Sequence, residues 1–271
     1  MKVQINHQRM RLRFSYVTIL NMEMITILGL ILGFGGILLG NILEGGHVAS
    51  LVQGAAFVIV MSGTLGATMV SSKPESFKKA LELFKRAFKA ENDDAINRQV
   101  IDEIIDCAKQ AKKDGLLSLE ARLATLKNPF LKDVLRAVVD GIDPVLIRES
   151  FENHISIEEE KLNSAAKVWT DAGGYAPTVG IIGAVLGLIH VMGNLSDTSK
   201  LGAGIAVAFV ATIYGVCFAN LLFLPIGNKL KKKVSDDMRK KEMILEGCLC
   251  VQNGLPASLI LIRLNSYLEK N

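Results

Sequence analysis

Two long stretches of this chain carry no formal charge. Gly173–Met192 and Leu201–Ile226 lack aspartate, glutamate, lysine and arginine altogether. A pump or channel that works alone ordinarily sets a carboxylate at mid-membrane to hold its cation, and none is present. Either the protein moves no ion or a partner's helix brings the acid. Cysteine is scarce as well: Cys107, Cys217, Cys248 and Cys250 are the four. One lies in an apolar run and three in segments read below as cytoplasmic, where thiols stay reduced, so no disulfide framework is expected. Cys248-x-Cys250 has no histidine or further cysteine nearby to complete a ligand set, so neither a metal nor a cofactor is expected. An intramembrane enzyme would need a nucleophile and a base, or a metal cluster, at one depth. Only His190 is available, which argues against that class.

What the chain does have is apolar length. Half of its 271 residues are hydrophobic and 21% are charged, a balance that favours a membrane protein over a soluble domain. Four runs reach the roughly 20 residues a spanning helix needs: Met24–Leu43, Leu51–Val70, Gly173–Met192 and Leu201–Ile226. The linkers Glu44–Ser50 and Gly193–Lys200 allow only tight hairpins. The expected organisation is all-α: a basic segment 1–23, a first transmembrane hairpin 24–71, a helical insert 72–172, a second hairpin 173–226 and a helical tail 227–271.

Lysine and arginine set the expected orientation, because cytoplasmic flanks are enriched in them. The N-terminal segment holds 4, the insert 17 and the tail 9, leaving Lys200 alone in a short hairpin. Both termini and the insert are therefore expected in the cytoplasm. The basic start does not read as a signal peptide, since the apolar run is long and no small-x-small site precedes a soluble domain. Met22 and Met24 are as well placed as Met1 to be the natural start.

The insert reads as helical throughout. Phe77, Leu81, Phe84 and Phe88 recur every three to four residues behind Pro74, a good first-turn residue. A second helix runs from about Ala95 to Lys113 with Ile96, Val100, Ile104 and Ala108 on one face, and Gly115 stops it. "LLSLEARLATL" resumes a helical pattern, and Asp143-Pro144 opens the last helix towards the third span. Between Ser71 and Thr170, 17 basic residues face 18 acidic ones, a balance that argues against nucleic acid. Most of these charges belong to solvated helix faces. Lys109, Lys112, Lys113 and Asp114, with Glu120 just beyond, form a denser knuckle that a partner protein could touch.

Inside the membrane, small residues let helices approach closely. Span one carries Gly29, Gly33, Gly36 and Gly40. Span three carries Gly183 and Gly187, and span four Gly204, Ala208, Ala211, Gly215 and Ala219. Three such faces suggest a tight, oligomeric bundle in lipid. The polar side chains of spans three and four are Tyr175, Thr178, His190, Thr212, Tyr214 and Asn220. A threonine bonding its own backbone is the plain alternative to a pathway role for each hydroxyl. Pro177 and Pro225, near the cytoplasmic ends of adjacent spans, each free a carbonyl and allow a bend.

These features resemble the MotA/PomA flagellar stator family. The motifs that carry the likeness are "ITILGLILGFGGILLGNILEGG", "KKDGLLSLE", "APTVGIIGAVLGLIHVM", "ATIYGVCFANLLFLPIGNKL" and "EGCLCVQNGLP", which together cover nearly everything after Glu23. The resemblance implies a pentameric ring in the bacterial inner membrane around a MotB-like single-span partner that carries the ion-binding aspartate. It also implies torque on a FliG-like rotor switch protein. Pro177 and Pro225 would be the two functional prolines and Thr212 the pathway threonine, with Tyr214 beside it. Lys112 and Glu120 would be the rotor-facing charge pair, flanked by Lys109 and Lys113. Lysine stands where arginine is frequent, which keeps the charge and loses the bidentate fork. Ala184 stands where sodium-type relatives carry a threonine, so protons are the expected ion. The alternatives are an ExbB/TolQ-type energiser, which lacks the first hairpin, and a sodium-driven PomA-type stator.

A reporter fused at Asn271 or within Asn92–Asp94 is expected in the cytoplasm, and one near Ser196 outside it. Reverse labelling at either place would overturn the four-span orientation.

Overall fold

The computed structural model describes residues 24–89, 93–193 and 198–268. Expectations for residues 1–23, including the choice of start, lie outside the described residues, as do the fusion points Asn92, Ser196 and Asn271. Described residues are helical wherever they are regular. Four helical segments are long and apolar enough to cross a membrane. In chain order the α-helices are α1 Met24–Leu43, α2 Gly54–Ser71, α3 Pro74–Ala87, α4 Asp93–Asp114, α5 Glu120–Leu123, α6 Pro129–Val139, α7 Pro144–Met192, α8 Thr198–Cys217, α9 Leu224–Gln252 and α10 Ala257–Ser266. Short 3-10 turns at Val48–Leu51 and Leu116–Leu119 precede α2 and α5.

The chain divides into two units, and α7 and α9 each contribute residues to both. The membrane unit comprises α1, α2, α3, the C-terminal part of α7, α8 and the start of α9. The charged unit comprises α4, α5, α6, the N-terminal part of α7, the rest of α9, and α10.

In the membrane unit the third and fourth spans touch backbone to backbone. A Cβ on Gly180 would stand 2.9 Å from the Ala211 carbonyl oxygen, and one on Gly187 2.9 Å from the Ala208 amide nitrogen. A Cβ on Gly215 would stand 2.5 Å from the Ala176 oxygen. Gly183 leaves room in the same way for the Ala211 methyl. Dispersion between two helix backbones needs this closeness, because lipid supplies no hydrophobic drive between helices. Span two joins the pair through Ala56 and Val60, buried against Val210 and Ala211. Below them, rings stack in sequence from Phe57 to Phe218, Phe223, Trp169 and Phe84, at centroid separations of 4.9 to 6.3 Å. The Trp169 indole donates to the Ala80 carbonyl at 3.1 Å, docking α3 onto α7.

The glycines of α1 behave differently. Gly33 meets the Leu221 side chain, but Gly29, Gly36 and Gly40 meet nothing within 4 Å. Among the described residues, no atom of another helix closes on this stripe at Gly29, Gly36 or Gly40. The core face of α3 is likewise displaced from the expected one. Ala80, Leu83 and Ala87 are its buried positions, Phe77, Phe84 and Phe88 flank them, and Leu81 is exposed. Large rings reach in from the sides while the smallest residues sit at the closest approach.

The charged unit packs α4, α6, α9 and α10 around Ile104, Leu131, Leu135, Met243, Ile244 and Leu264. Ile96, read as part of the α4 core face, is exposed, and Ile101 and Cys107 are buried instead. Asn128 caps α6, its side-chain oxygen accepting from the Leu131 amide at 3.1 Å, and Asp143 accepts from the Val145 amide at the start of α7. Glu246 of α9 accepts from Arg148 of α7 and Arg263 of α10, both at 2.8 Å. Burial alone would raise the Glu246 carboxyl, but the hydrogen bond and charge of Arg148, with those of Arg263, outweigh it and hold it below the usual carboxylate range. Glu242, one turn earlier, is pushed up by burial and by Glu159 and Glu152.

Gly215→Val would drive methyls into the Ala176 carbonyl, an overpacking that costs about 1–3 kcal/mol. It should lower the melting temperature of the purified protein, whereas Gly29→Ala, which enters open space on a helix, should hold or slightly raise it. Equal effects of the two substitutions would show that the seam is not close-packed.

Candidate functional site

One candidate site, within the membrane unit, is centred on Pro177. Its ring nitrogen has no hydrogen, so the Gly173 carbonyl loses its partner four residues on. Even so, α7 runs past Pro177 without interruption. Pro177 lies directly on span four: its Cα is 3.2 Å from where a Gly215 Cβ would be. One turn away, the Thr212 Cα is 3.4 Å from the corresponding point on Gly180. Pro177, Thr212 and Gly215 are thus brought together. Ala184 is half-buried next to Gly183 on the same seam.

Pro225 sits elsewhere. It lies ten residues beyond Gly215 on the same rod, about 15 Å along the axis. There it lines a groove of about 320 Å³ with Gly29, Asn220, Leu221 and Lys229. Span four does not reach Pro225 as a plain α-helix. Phe218–Phe223 forms a π-helical turn before α9 begins at Leu224. The wider turn accommodates a proline ring that would otherwise collide with the carbonyl four residues back. The sequence signal for this distortion was the proline itself, but an insertion of one residue into a helical turn has no periodicity of its own.

Hydroxyls in the spans are mostly engaged locally. Thr178 donates to the Tyr175 carbonyl at 2.8 Å, and Asn220 donates to that of Val216 at 2.9 Å. Thr212 makes only a long contact, 3.4 Å, to the Ala208 carbonyl. Tyr214 is held by the first hairpin. Its hydroxyl donates to the Leu51 carbonyl at 2.5 Å and accepts from the Gln53 amide at 3.3 Å. His190 is exposed in the last turn of α7. Within this cluster Thr212 is the hydroxyl least committed to its own helix.

A separate candidate site is the knuckle of the charged unit. α4 ends at Asp114, and Gly115 follows with φ at 81°, a left-handed conformation that suits glycine. The turn behind it is bolted down. Gln110 donates to the Ser118 carbonyl at 2.8 Å, Arg122 reaches Gln110 at 3.4 Å and Asp106 at 3.6 Å, and Leu119 is fully buried. Lys109 pairs with Asp106 at 3.3 Å. Lys112, Lys113, Asp114 and Glu120 are exposed, and no ion pair engages them among the described residues. The fold therefore holds Lys109 locally and presents Lys112, Lys113 and Glu120 outward.

An uncharged, glycine-lined pair of long helices with two further apolar helices, continuous with a charged helical unit, defines a class: helical proteins with four helices long and apolar enough to cross a membrane and a charged helical extension. Comparison with known proteins narrows the class. Residues 27–115 match the Motility protein A N-terminal model, and residues 122–243 match that of the MotA/TolQ/ExbB proton channel family. Motility protein A of Bacillus subtilis is 34% identical over 91% of this chain and 91% of its own length. Two solved structures superpose closely: C. jejuni MotAB, with a TM-score of 0.84, 33% identity and coverage of 91% of this chain and 96% of that one; and the flagellar MotAB stator complex from Bacillus subtilis, with a TM-score of 0.82, 34% identity and coverage of 90% and 95%. The chain belongs to the MotA/TolQ/ExbB proton channel family, in its motility protein A branch.

Because neither side chain has a partner to lose, Lys112→Glu and Glu120→Lys should each change stability by no more than about 0.5 kcal/mol. Membrane accumulation and the melting temperature of the purified protein check this. A variant that no longer accumulates would make the pair structural.

Proposed function

We propose that the chain is a flagellar motor stator subunit that couples ion flow across the inner membrane to torque on the rotor. The observation that carries the proposal is the uncharged seam around Pro177. It offers a close-packed surface with one carbonyl freed by the proline and no carboxylate, so the ion-binding acid must come from another chain. The solved neighbours are MotAB complexes, which supports a MotB-like single-span partner as the source of that acid. Five copies around the partner would bury the α1 glycines and other exposed apolar faces that have no cover within one chain. The positive-inside excess favours both termini and the charged unit on the cytoplasmic side.

In this reading, protonation of the partner's aspartate neutralises it and changes its fit against Pro177, Thr212 and, further along the rod, Pro225. The seam yields at Pro177, where a backbone hydrogen bond is already missing. The ring then advances by one subunit, and Lys112 and Glu120 act on complementary charges of the rotor. Protons are the proposed ion. A sodium ion gives up its water only where several oxygens replace it. Near Pro177 the structure offers the Thr212 hydroxyl, while Ala184 has none and the Tyr214 hydroxyl is taken by the first hairpin.

Swimming should persist without sodium and slow when a protonophore collapses the proton gradient, and Lys112→Glu should impair it without loss of assembly. Speed that climbs steeply with external sodium at constant proton gradient would overturn the ion assignment. Normal swimming of both charge-reversal variants would overturn the rotor role of the knuckle.

A further inference from the structure

The knuckle carries something that charge does not explain. Of the leucines in its turn, Leu119 is 0% exposed and Leu123 is 7% exposed, but Leu117 is 73% exposed. Ala121 and Ala124, four and seven residues further on, are exposed too. These exposed apolar residues belong to the same short segment as Glu120 and follow directly on Lys112, Lys113 and Asp114. Loose exposure of one leucine would be unremarkable. Here the backbone is fixed on both sides of it. Gly115 sets the entry, Ser118 donates to the Gly115 carbonyl at 2.6 Å, Gln110 holds the Ser118 carbonyl, and Leu119 anchors the turn in the core. Leu117 is therefore presented in one place rather than left free to fold back, and ordering it on contact costs little conformational entropy.

We infer that Leu117 is the apolar anchor of the protein contact made by this knuckle. The partner surface it fits is a protein face with a shallow apolar notch, flanked by an acidic side chain for Lys112 or Lys113 and a basic one for Glu120. Charge complementarity identifies that occupant: exposed charges of both signs, in no ion pair among the described residues, flank Leu117 in the chain, so an anionic lipid surface or a uniformly charged partner would meet repulsion from one of them. Charges steer encounter and set register, while a desolvated apolar side chain at the centre of a contact lengthens its lifetime. In the motor this separates two tasks. Lys112 and Glu120 find the rotor position, and Leu117 holds it long enough for the ring's step to be transmitted. The inference rests on the reading of the knuckle as the rotor contact.

The test compares Leu117→Gln, Leu117→Met and Lys112→Glu in cells carrying the full stator complex, reading three things: membrane assembly, ion conduction through the complex, and torque with the number of stator units engaged at the rotor. Leu117→Gln should assemble and conduct normally, yet reduce engaged units by about tenfold, the scale of a lost leucine contact. Leu117→Met, which keeps the apolar volume, should restore most of them. Full engagement of Leu117→Gln alongside failure of Lys112→Glu would overturn the anchor and leave the rotor contact standing. Full engagement of both variants would overturn the contact itself. Loss of membrane assembly in Leu117→Gln would show a structural leucine and also overturn the anchor.

Discussion

The contact of helix backbones between Gly180 and Ala211, Gly187 and Ala208, and Gly215 and Ala176 is the constraint on which the membrane unit depends. In water, two helices are held together by the apolar surface they remove from solvent. In lipid that term vanishes, and what remains is atomic contact at close range. The seam has to be lined by residues with almost no side chain, because a single added Cβ at Gly215 would stand 2.5 Å from a carbonyl oxygen. The same economy explains why the spans contain no charge. A buried carboxylate here would need both room and hydrogen-bond donors, and a glycine seam supplies neither.

From that contact the positions of the functional groups follow. Pro177 can sit inside a helix because α8 supports it from the side through Gly215, so the missing hydrogen bond creates a soft point rather than a break. Thr212 projects from the turn that faces Gly180, and its hydroxyl makes only a 3.4 Å contact with its own backbone. Pro225, beyond the π-turn, belongs to a different surface, next to α1 and Lys229. Pro177, on α7, and Pro225, at the start of α9, therefore lie at separate places. About 15 Å of helix separates Gly215, where Pro177 packs, from Pro225, and the two prolines share no pocket.

Much of this could be read from the amino acids, and the residues show where reading stops. The four spans, Pro74 and Pro144 as helix starts, and Gly115 as a stop were legible, because length, cap chemistry and positive φ are local properties. The glycines of spans three and four were legible as a packing face for the same reason that made those of span one ambiguous. Spacing shows that a face is small, not what covers it. Gly183 and Gly187 have a partner in the chain, whereas Gly29, Gly36 and Gly40 do not. The π-turn and the tether of Tyr214 to Leu51 were not legible. Each depends on a contact between segments over 160 residues apart, or on a one-residue slip that periodicity averages away. The charges of the knuckle could be counted from the sequence, but their availability could not. Lys109 and Lys112 look alike as letters, and only the geometry pairs one with Asp106 and leaves the other outward.

That difference between Lys109 and Lys112 also limits what the knuckle can be for. A surface meant only to stay soluble gains from pairing its charges locally, as Lys79 with Glu82 and Lys167 with Asp171 do elsewhere in the chain. The knuckle instead spends its local bonds, through Gln110, Arg122 and Ser118, on fixing the backbone. Exposed lysines on a rigid turn keep their full desolvation cost until a partner arrives, so they raise the rate of encounter more than the affinity. A motor contact has to form and release at every step, and tight charge pairing would slow the release. In the proposed rotor contact, charges on a stiffened turn around one apolar side chain would combine fast encounter with a contact strong enough to carry force for the duration of a step.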